Sequence, residues 1–397
     1  QELIRIAVVT SSRADYGHIF WPMKEIDRNP LLSLELVVMG AHLSERFGHT
    51  VEEIEKDGFN ITAYVPCLDA EDSDVGMART MGFAVGELAR IFADRRPDII
   101  LIIADRYEML APASVALTLR IPIAHIEGGD ISEGAIDDAV RNALTKMAHL
   151  HFTPTREASR RVLSMGEESW RVVQSGAPSI DHLRRSNLPG KGELERSLGY
   201  PLVNPVCVIS QHPVTLEEDT TADLQPLLKA LECWHGSFIF CFPNADVGYS
   251  DIIERVQNFC NERPNATLHT NLNHLTYWSL LKHSALLIGN SSSGIMETAS
   301  MKLPTIDVGS RQKGRTRADN VIHTVSEAKS IESAIGQAID QEFIDSLKDL
   351  QNPYGDGYAS ERIVEKLLSA PGRRVLLQKK ALPLAKDKNQ FVDDDRL

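Results

Sequence analysis

The chain is poor in cysteine, has no excess of positive charge and contains no long apolar run, and each shortage closes off a class of protein. Its five cysteines (Cys67, Cys207, Cys233, Cys241 and Cys260) are scattered, odd in number and never spaced as C-x-x-C. Neither a disulfide framework nor a zinc site is indicated, which fits a reducing compartment. Cys207 and Cys241 lie in strand-like runs, where a thiol behaves as a small hydrophobe. The histidines show no metal-ligand spacing, so no metal and no cofactor are expected. With 42 Lys and Arg against 55 Asp and Glu, the net charge is −13. That balance argues against a nucleic-acid or anionic-membrane binder, whose nonspecific affinity comes from phosphate neutralisation. A local basic pocket for a small phosphate ligand stays compatible with it. No run of about 18 apolar residues is available to span a bilayer. The opening IRIAVVT reads as a short strand rather than a signal peptide, so a soluble cytoplasmic protein is expected.

What is present is an alternation of short β-rich runs with helix-period stretches, over a length that suits two domains. Strands are expected at 4–10, 34–39, 61–65, 98–104, 121–126, 150–153 and 171–174. A second series follows at 206–210, 237–242, 266–270, 286–289 and 305–308. Near-continuous apolar strands separated by helices imply parallel sheets covered on both faces. The fold class is therefore α/β, as two doubly wound Rossmann-like domains facing across a cleft. Residues 1–176 form the first domain and 177–354 the second, with 355–397 supplying a further helix and a polar tail. The Pro-, Gly- and charge-rich run 175–205 reads as an inter-domain linker with one helix inside it.

In open parallel sheets, ligands bind just beyond the carboxyl ends of the strands. The first half places Ser11 to Gly17 (with Arg13), then Asp105 and Arg106, then Glu127, Gly128 and Gly129 at such ends. The second half places Gln211-His212-Pro213, Pro243-Asn244 and Asn290-Ser291-Ser292-Ser293-Gly294 there. Carboxylates dominate the first set, and neutral donors with a histidine dominate the second.

The stretch Pro122–Lys146 concentrates charge beside a buried strand: Glu127, Asp130, Asp137, Asp138 and Arg141 fall within one strand–loop–helix unit. Carboxylates near low-dielectric surface are often functional. Ile136, Ala139, Val140, Ala143, Leu144 and Met147 share one expected helix face, with Asp137 and Arg141 four apart on another. That pair reads either as an exposed ion pair or as an acid held by a cation. In GNSSSGIMETA, small polar residues between a strand and a helix offer backbone N–H groups to an anion, with Ser291 and Ser292 adding hydroxyls. A carboxylate as near as Glu297 suits ribose hydroxyls; an ordinary Ser-capped helix is the alternative. His212 reads as a proton donor, a diphosphate partner or a structural residue. Arg311, Arg315 and Arg317 form a basic loop that reads as a phosphate clamp or a solvated face.

Together the blocks SSRADYG, ADRYEML, AHIEGGDISEGAIDDAVRNALTKMAHLHF, SQHPVT, FPNADVG and GNSSSGIMETASMKLPTIDVGSRQKGR resemble the UDP-N-acetylglucosamine 2-epimerases, to about Arg362. The HIEGG and RADYG forms are similar to the hydrolysing branch of sialic-acid and related nonulosonate pathways; non-hydrolysing relatives typically read HVEAG and RPE there. The resemblance implies a B-type glycosyltransferase-like architecture, with UDP held mostly by the C-terminal domain and the last helix returning to the N-terminal one. It implies Arg13, Arg106, His212, Asn244, Ser291, Ser292, Glu297 and Arg311 as nucleotide-sugar ligands, and Asp105, Glu127 and Asp137 as acid–base carboxylates. The expected reaction converts UDP-GlcNAc to ManNAc and UDP through a glycal, with UDP-N,N′-diacetylbacillosamine as the alternative substrate. A homo-oligomer, dimer or tetramer, is implied too. Many relatives carry lysine where this chain has His18, so the positive charge there becomes pH-dependent.

Overall fold

The computed structural model describes residues 3–71, 73–133, 136–214, 221–242, 249–270 and 272–382. The chain divides into two compact units: Gln1–Ile131, Ile136–Asp181 and Gly357–Leu397 make one, and Ser132–Ala135 with His182–Asp356 make the other.

The first unit holds seven parallel strands: β1 Ile4–Thr10, β2 Leu32–Met39, β3 Ile61–Val65, β4 Ile99–Ile103, β5 Ile123–Ile126, β6 Leu150–Thr153 and β7 Val172–Gln174. Their order is β3-β2-β1-β4-β5-β6-β7. The second holds β8 Cys207–Ser210, β9 Phe238–Phe242, β10 Ala266–Thr270, β11 Leu286–Gly289, β12 Thr305–Val308 and β13 Val321–Thr324. These are parallel as well, in the order β10-β9-β8-β11-β12-β13. The strands are apolar throughout because both faces are covered. Ile6 and Val8 enter the core on one face of the first sheet, and Ala7 and Val9 the core on the other. Cys207 and Cys241 likewise divide between the two cores of the second sheet.

Several expectations need correction. A helix runs from Arg13 to Arg28, beginning within SSRADYG and with Pro22 inside it, so the polar run after the first strand is a helix start. Strand β13 was not foreseen, because its residues are half exposed at the sheet edge and carry little apolar signal. The start of the supposed linker is core rather than linker: residues 175–182 are buried, and Asp181 caps the helix Ala359–Leu368 by accepting from the amides of Ala359 (3.1 Å) and Ser360 (2.8 Å). The helix Ile136–Met147 buries Val140, Arg141, Leu144 and Thr145. Ile136 and Ala139, expected on its buried face, are exposed.

The C-terminal segment is fastened to the first unit through buried cations. Arg171, fully buried, donates to the carbonyls of His149 (3.1 Å), Leu376 (2.9 Å), Val375 (3.3 Å) and Gln378 (3.0 Å), and to Glu168 at 2.7 Å. Nearby, the Glu167 carboxylate receives His151 (2.9 Å), Lys146 (2.7 Å) and Lys379 (2.8 Å). Burial alone would raise the Glu167 pKa; the hydrogen bonds from His151, Lys146 and Lys379 outweigh it and hold the carboxyl at about 2. Burial, aided by the charges of Lys379 and Arg171, pushes His149 down to about 4.

Two outcomes are expected. Arg171→Met should destabilise the protein by about 3–5 kcal/mol in denaturant titration, since carbonyls and a carboxylate would stay buried without their cation; a loss under about 1 kcal/mol would contradict this. Both titrating groups have lowered folded pKa values, so each contributes stability that is lost as pH falls. The loss attributable to His149 falls between 6.5 and about 4, and that of Glu167 between 4.5 and about 2. A melting temperature unchanged from pH 7 to 4 would count against the first of these.

Candidate functional site

In each sheet the connections reverse direction once, between β1 and β4 and between β8 and β11. Such switch points are where open parallel sheets bind ligands, and the candidate residues gather at both.

In the first unit, the residues after β1 are arranged by Asp15. Its buried carboxylate accepts from Thr10 Oγ1 (2.8 Å), the amides of Ser11 and Ser12 (2.9 Å each) and Ser11 Oγ (2.8 Å). This closes the first turn of the helix and fixes the position of Arg13, its first residue, which is paired with Glu53. Arg106, after β4, forks onto Glu108 at 2.9 and 3.2 Å.

Beyond β4 and β5 the backbone makes two strained corners. Ala104 has φ +59° and Glu127 has φ +67°, left-handed conformations that cost a non-glycine residue about 1–2 kcal/mol. Each is held by a ladder bond: Ala104 N–H donates to Ile126 O (2.9 Å) and Glu127 N–H to Phe152 O (2.8 Å). The corner at Ala104 presents Asp105, whose carboxylate is bound by Arg141. Arg141 is buried, so it serves a strand-end carboxylate rather than standing on the surface as half of an exposed helix pair. Asp137 is half-buried one turn earlier on the same helix. The Glu127 carboxylate is buried and lies 2.8 Å from Nδ1 of His18, on the helix Arg13–Arg28. Gly129 continues the second corner at φ +81°, with Ala158 O only 2.2 Å from where a Cβ would sit. Only glycine fits both constraints.

In the second unit, Gly289 ends β11 at φ +142°, and a Cβ there would lie 2.0 Å from Ser210 O on β8. Asn290 follows and clasps His212 through its side chain, accepting the His212 amide (2.7 Å) and donating to its carbonyl (2.9 Å). Asn290 O in turn accepts from Arg311 Nη1 (2.8 Å) and Gln312 Nε2 (2.9 Å). Burial drives the His212 pKa well below its ordinary value, with the Arg311 charge adding to the effect. The ring is therefore neutral near pH 7 and presents a single N–H. Ser291 and Ser292 precede a one-turn helix, Ser293–Met296, that tightens into a 3-10 turn; Glu297, between the two, is buried. Of the basic loop, Arg317 is bound to Asp307 (2.8 Å) and Arg315 to Gln312 Oε1 (3.1 Å), so both are tied into the unit's own framework. Asn244 lies outside the described residues.

Sequence reasoning passed over Asp15, Asn290 and Gln312 as positioning residues and left His18 aside. The S-x-x-D spacing of Ser12 and Asp15 was a usable capping signal; nothing local marks Asn290 as the partner of a histidine 78 positions away. Among the described residues, no group of three or more His, Cys, Asp or Glu could hold a metal.

Two parallel α/β units of this topology, each with polar side chains at its switch point, are the pair found in proteins of B-type glycosyltransferase-like fold. A solved UDP-GlcNAc 2-epimerase from Neisseria meningitidis, bound to UDP-GlcNAc, superposes with a TM-score of 0.79 at 19% identity, covering 92% of this chain and 100% of that one. The chain belongs to the UDP-N-acetylglucosamine 2-epimerase family, whose model matches residues 24–368. It is a UDP-sugar 2-epimerase. The GDP/UDP-N,N′-diacetylbacillosamine 2-epimerase (hydrolyzing) of Campylobacter jejuni is 38% identical over 85% of this chain and 88% of its own length. The UDP-N,N′-diacetylbacillosamine 2-epimerase (hydrolyzing) of Legionella pneumophila is 33% identical over 94% and 98%. Polysialic acid biosynthesis protein P7 of Escherichia coli is 35% identical over 88% and 90%.

Asn290→Ala should leave two buried backbone groups of His212 without partners, at about 2–4 kcal/mol of stability. Unchanged stability would show that the clasp is dispensable.

Proposed function

We propose that the chain hydrolyses a UDP-2-acetamido sugar with inversion at C2, by elimination of UDP and hydration of the resulting glycal. The observation that carries this is the pair of carboxylates on left-handed corners at adjacent strand ends, Asp105 beside a buried arginine and Glu127 beside a histidine. The C2 proton of such a sugar is not acidic, so its removal needs a positioned base while the C1–O bond to UDP breaks. Hydration then needs a water activated toward C1 and a proton delivered to C2 from the other face. Two proton transfers on two faces call for at least two carboxyl groups in different surroundings. The partners here differ in kind: arginine carries a fixed charge, whereas histidine can carry or lack a proton. That contrast supports Asp105 as the base of the elimination step, with Glu127 and Asp137 serving hydration. Charge growing on the departing diphosphate would be met by the Ser291–Ser292 turn, His212 and Arg311, with Arg13, Arg106, Arg141, Asn244 and Glu297 completing the nucleotide-sugar contacts.

Two substrates fit this chemistry. The names of the Campylobacter and Legionella relatives favour UDP-N,N′-diacetylbacillosamine, giving 2,4-diacetamido-2,4,6-trideoxymannose. The Escherichia coli relative's name favours UDP-GlcNAc, giving ManNAc for a sialic-acid-type sugar. Incubation with each sugar separately, following UDP release and product by NMR, decides between them. Release of UDP from neither would overturn the hydrolytic reading. We read the assembly as a cytoplasmic homo-oligomer, dimer or tetramer, which light scattering tests for size; among the described residues no helix is long and apolar enough to cross a membrane.

Asp105→Asn is expected to abolish UDP release while nucleotide affinity stays within about threefold; near-normal turnover would remove Asp105 from the mechanism. Glu127→Gln is expected to spare elimination more than hydration, so that glycal accumulates. Its absence from that variant's products would count against this division of roles.

A further inference from the structure

The corner that presents Asp105 has a support to which no role has been given. Ala104 N–H still belongs to the β4–β5 ladder, but its left-handed φ turns the Ala104 carbonyl, the one directly preceding Asp105, out of that ladder. Ala104 is half-buried, so leaving this carbonyl without a donor costs free energy, and the corner would relax toward ordinary strand geometry. The donor is His125, on β5 and fully buried, whose Nε2 lies 2.7 Å from Ala104 O. A carbonyl only accepts, so the ring proton sits on Nε2. Among the described residues His125 Nδ1 has no hydrogen-bond partner, and Gly128 lies against that edge of the ring, where a Cβ would fall 3.1 Å from Nδ1. Burial pushes the His125 pKa down to about 4, against the opposing effect of the Ala104 bond, while the neighbouring charges of His151 and Arg141 lower it and Glu127 raises it. The imidazole is thus neutral and locked in one tautomer. Glu127 follows two residues later, on the corner just beyond the end of that strand, so a single ring braces the corner of one carboxylate from the strand that leads into the other.

We propose that His125 is a positioning residue for the reaction: by donating from Nε2 to the Ala104 carbonyl it holds the left-handed corner that aims Asp105. This rests on the reading of Asp105 as the base. A displacement of about an ångström at a reacting group typically costs on the order of a hundredfold in rate, so the effect should fall on kcat rather than on binding.

The test has two arms. In the first, imidazole 15N NMR of the intact wild-type protein reports the tautomer without reference to turnover. His125 is expected to be neutral and Nε2-protonated from pH 6 to 8, and a proton on Nδ1, or a charged ring at pH 6.5, overturns the proposal. In the second, UDP release from whichever nucleotide sugar the wild type turns over is compared in three variants. His125→Phe keeps the ring but removes the donor, and kcat should fall by about ten- to a hundredfold, with KM and the Kd for UDP nearly unchanged. His125→Gln places an amide donor where Nε2 was and should recover most of that loss, whereas His125→Asn, whose amide reaches only the Nδ1 position, should not. Wild-type turnover in His125→Phe, or equal activity in the Gln and Asn variants, overturns the proposal. If His125→Phe fails to fold, the Gln–Asn comparison alone decides. Wild type inactive on both sugars would instead tell against the enzymatic reading, and the tautomer measurement would still stand.

Discussion

The pairing of Arg141 with Asp105 ties the helix Ile136–Met147 to the end of β4, and the candidate site of the first unit depends on it. An arginine buried to this degree must be neutralised where it lies, because its desolvation is several kcal/mol unless a carboxylate meets it. The helix Ile136–Met147 therefore has to bring its Arg141 face toward the end of β4, and Val140 and Leu144 seal that face against the sheet. Asp105 has to arrive at the same place, which the left-handed turn at Ala104 accomplishes. Strain and buried charge meet at these strand ends, above strands whose buried residues are mostly apolar.

The two units solve different problems with one topology. Their strand orders correspond, and each opens its switch point between its first and fourth strands. The first places carboxylates, paired with an arginine and a histidine, at and beside that point, the second asparagine, serine and a neutral buried histidine. Carboxylates suit proton transfer; neutral donors suit a diphosphate, and the uncharged His212 ring adds a donor without a carboxylate's repulsion. The fold alone would not reveal this difference, since function resides in the side chains it positions.

Much of this was legible in the sequence because apolar runs bounded by polar strand ends follow directly from a sheet covered on both faces. Thus Asp105, Glu127 and Ser291 were located by where their strands stop. What was not legible depended on distant partners or on local exceptions to pattern. Arg141 was legible as a cation beside an acid on its own helix but not as the partner of Asp105, because i,i+4 spacing is visible in sequence and a partner 36 residues away is not. The core position of residues 175–182 was hidden by a composition that ordinarily marks solvent-exposed turns. The two left-handed corners fall on alanine and glutamate, which give no sign of unusual backbone.

In the mechanism we propose, C2 loses its proton to the protein and regains one from solvent-exchanged carboxyl groups while water adds at C1. Running the reaction to completion in deuterium oxide and examining the free sugar by NMR tests it most directly. The account predicts one deuteron at C2, with inverted configuration, in essentially every product molecule. Product that retains the original C2 proton would contradict it.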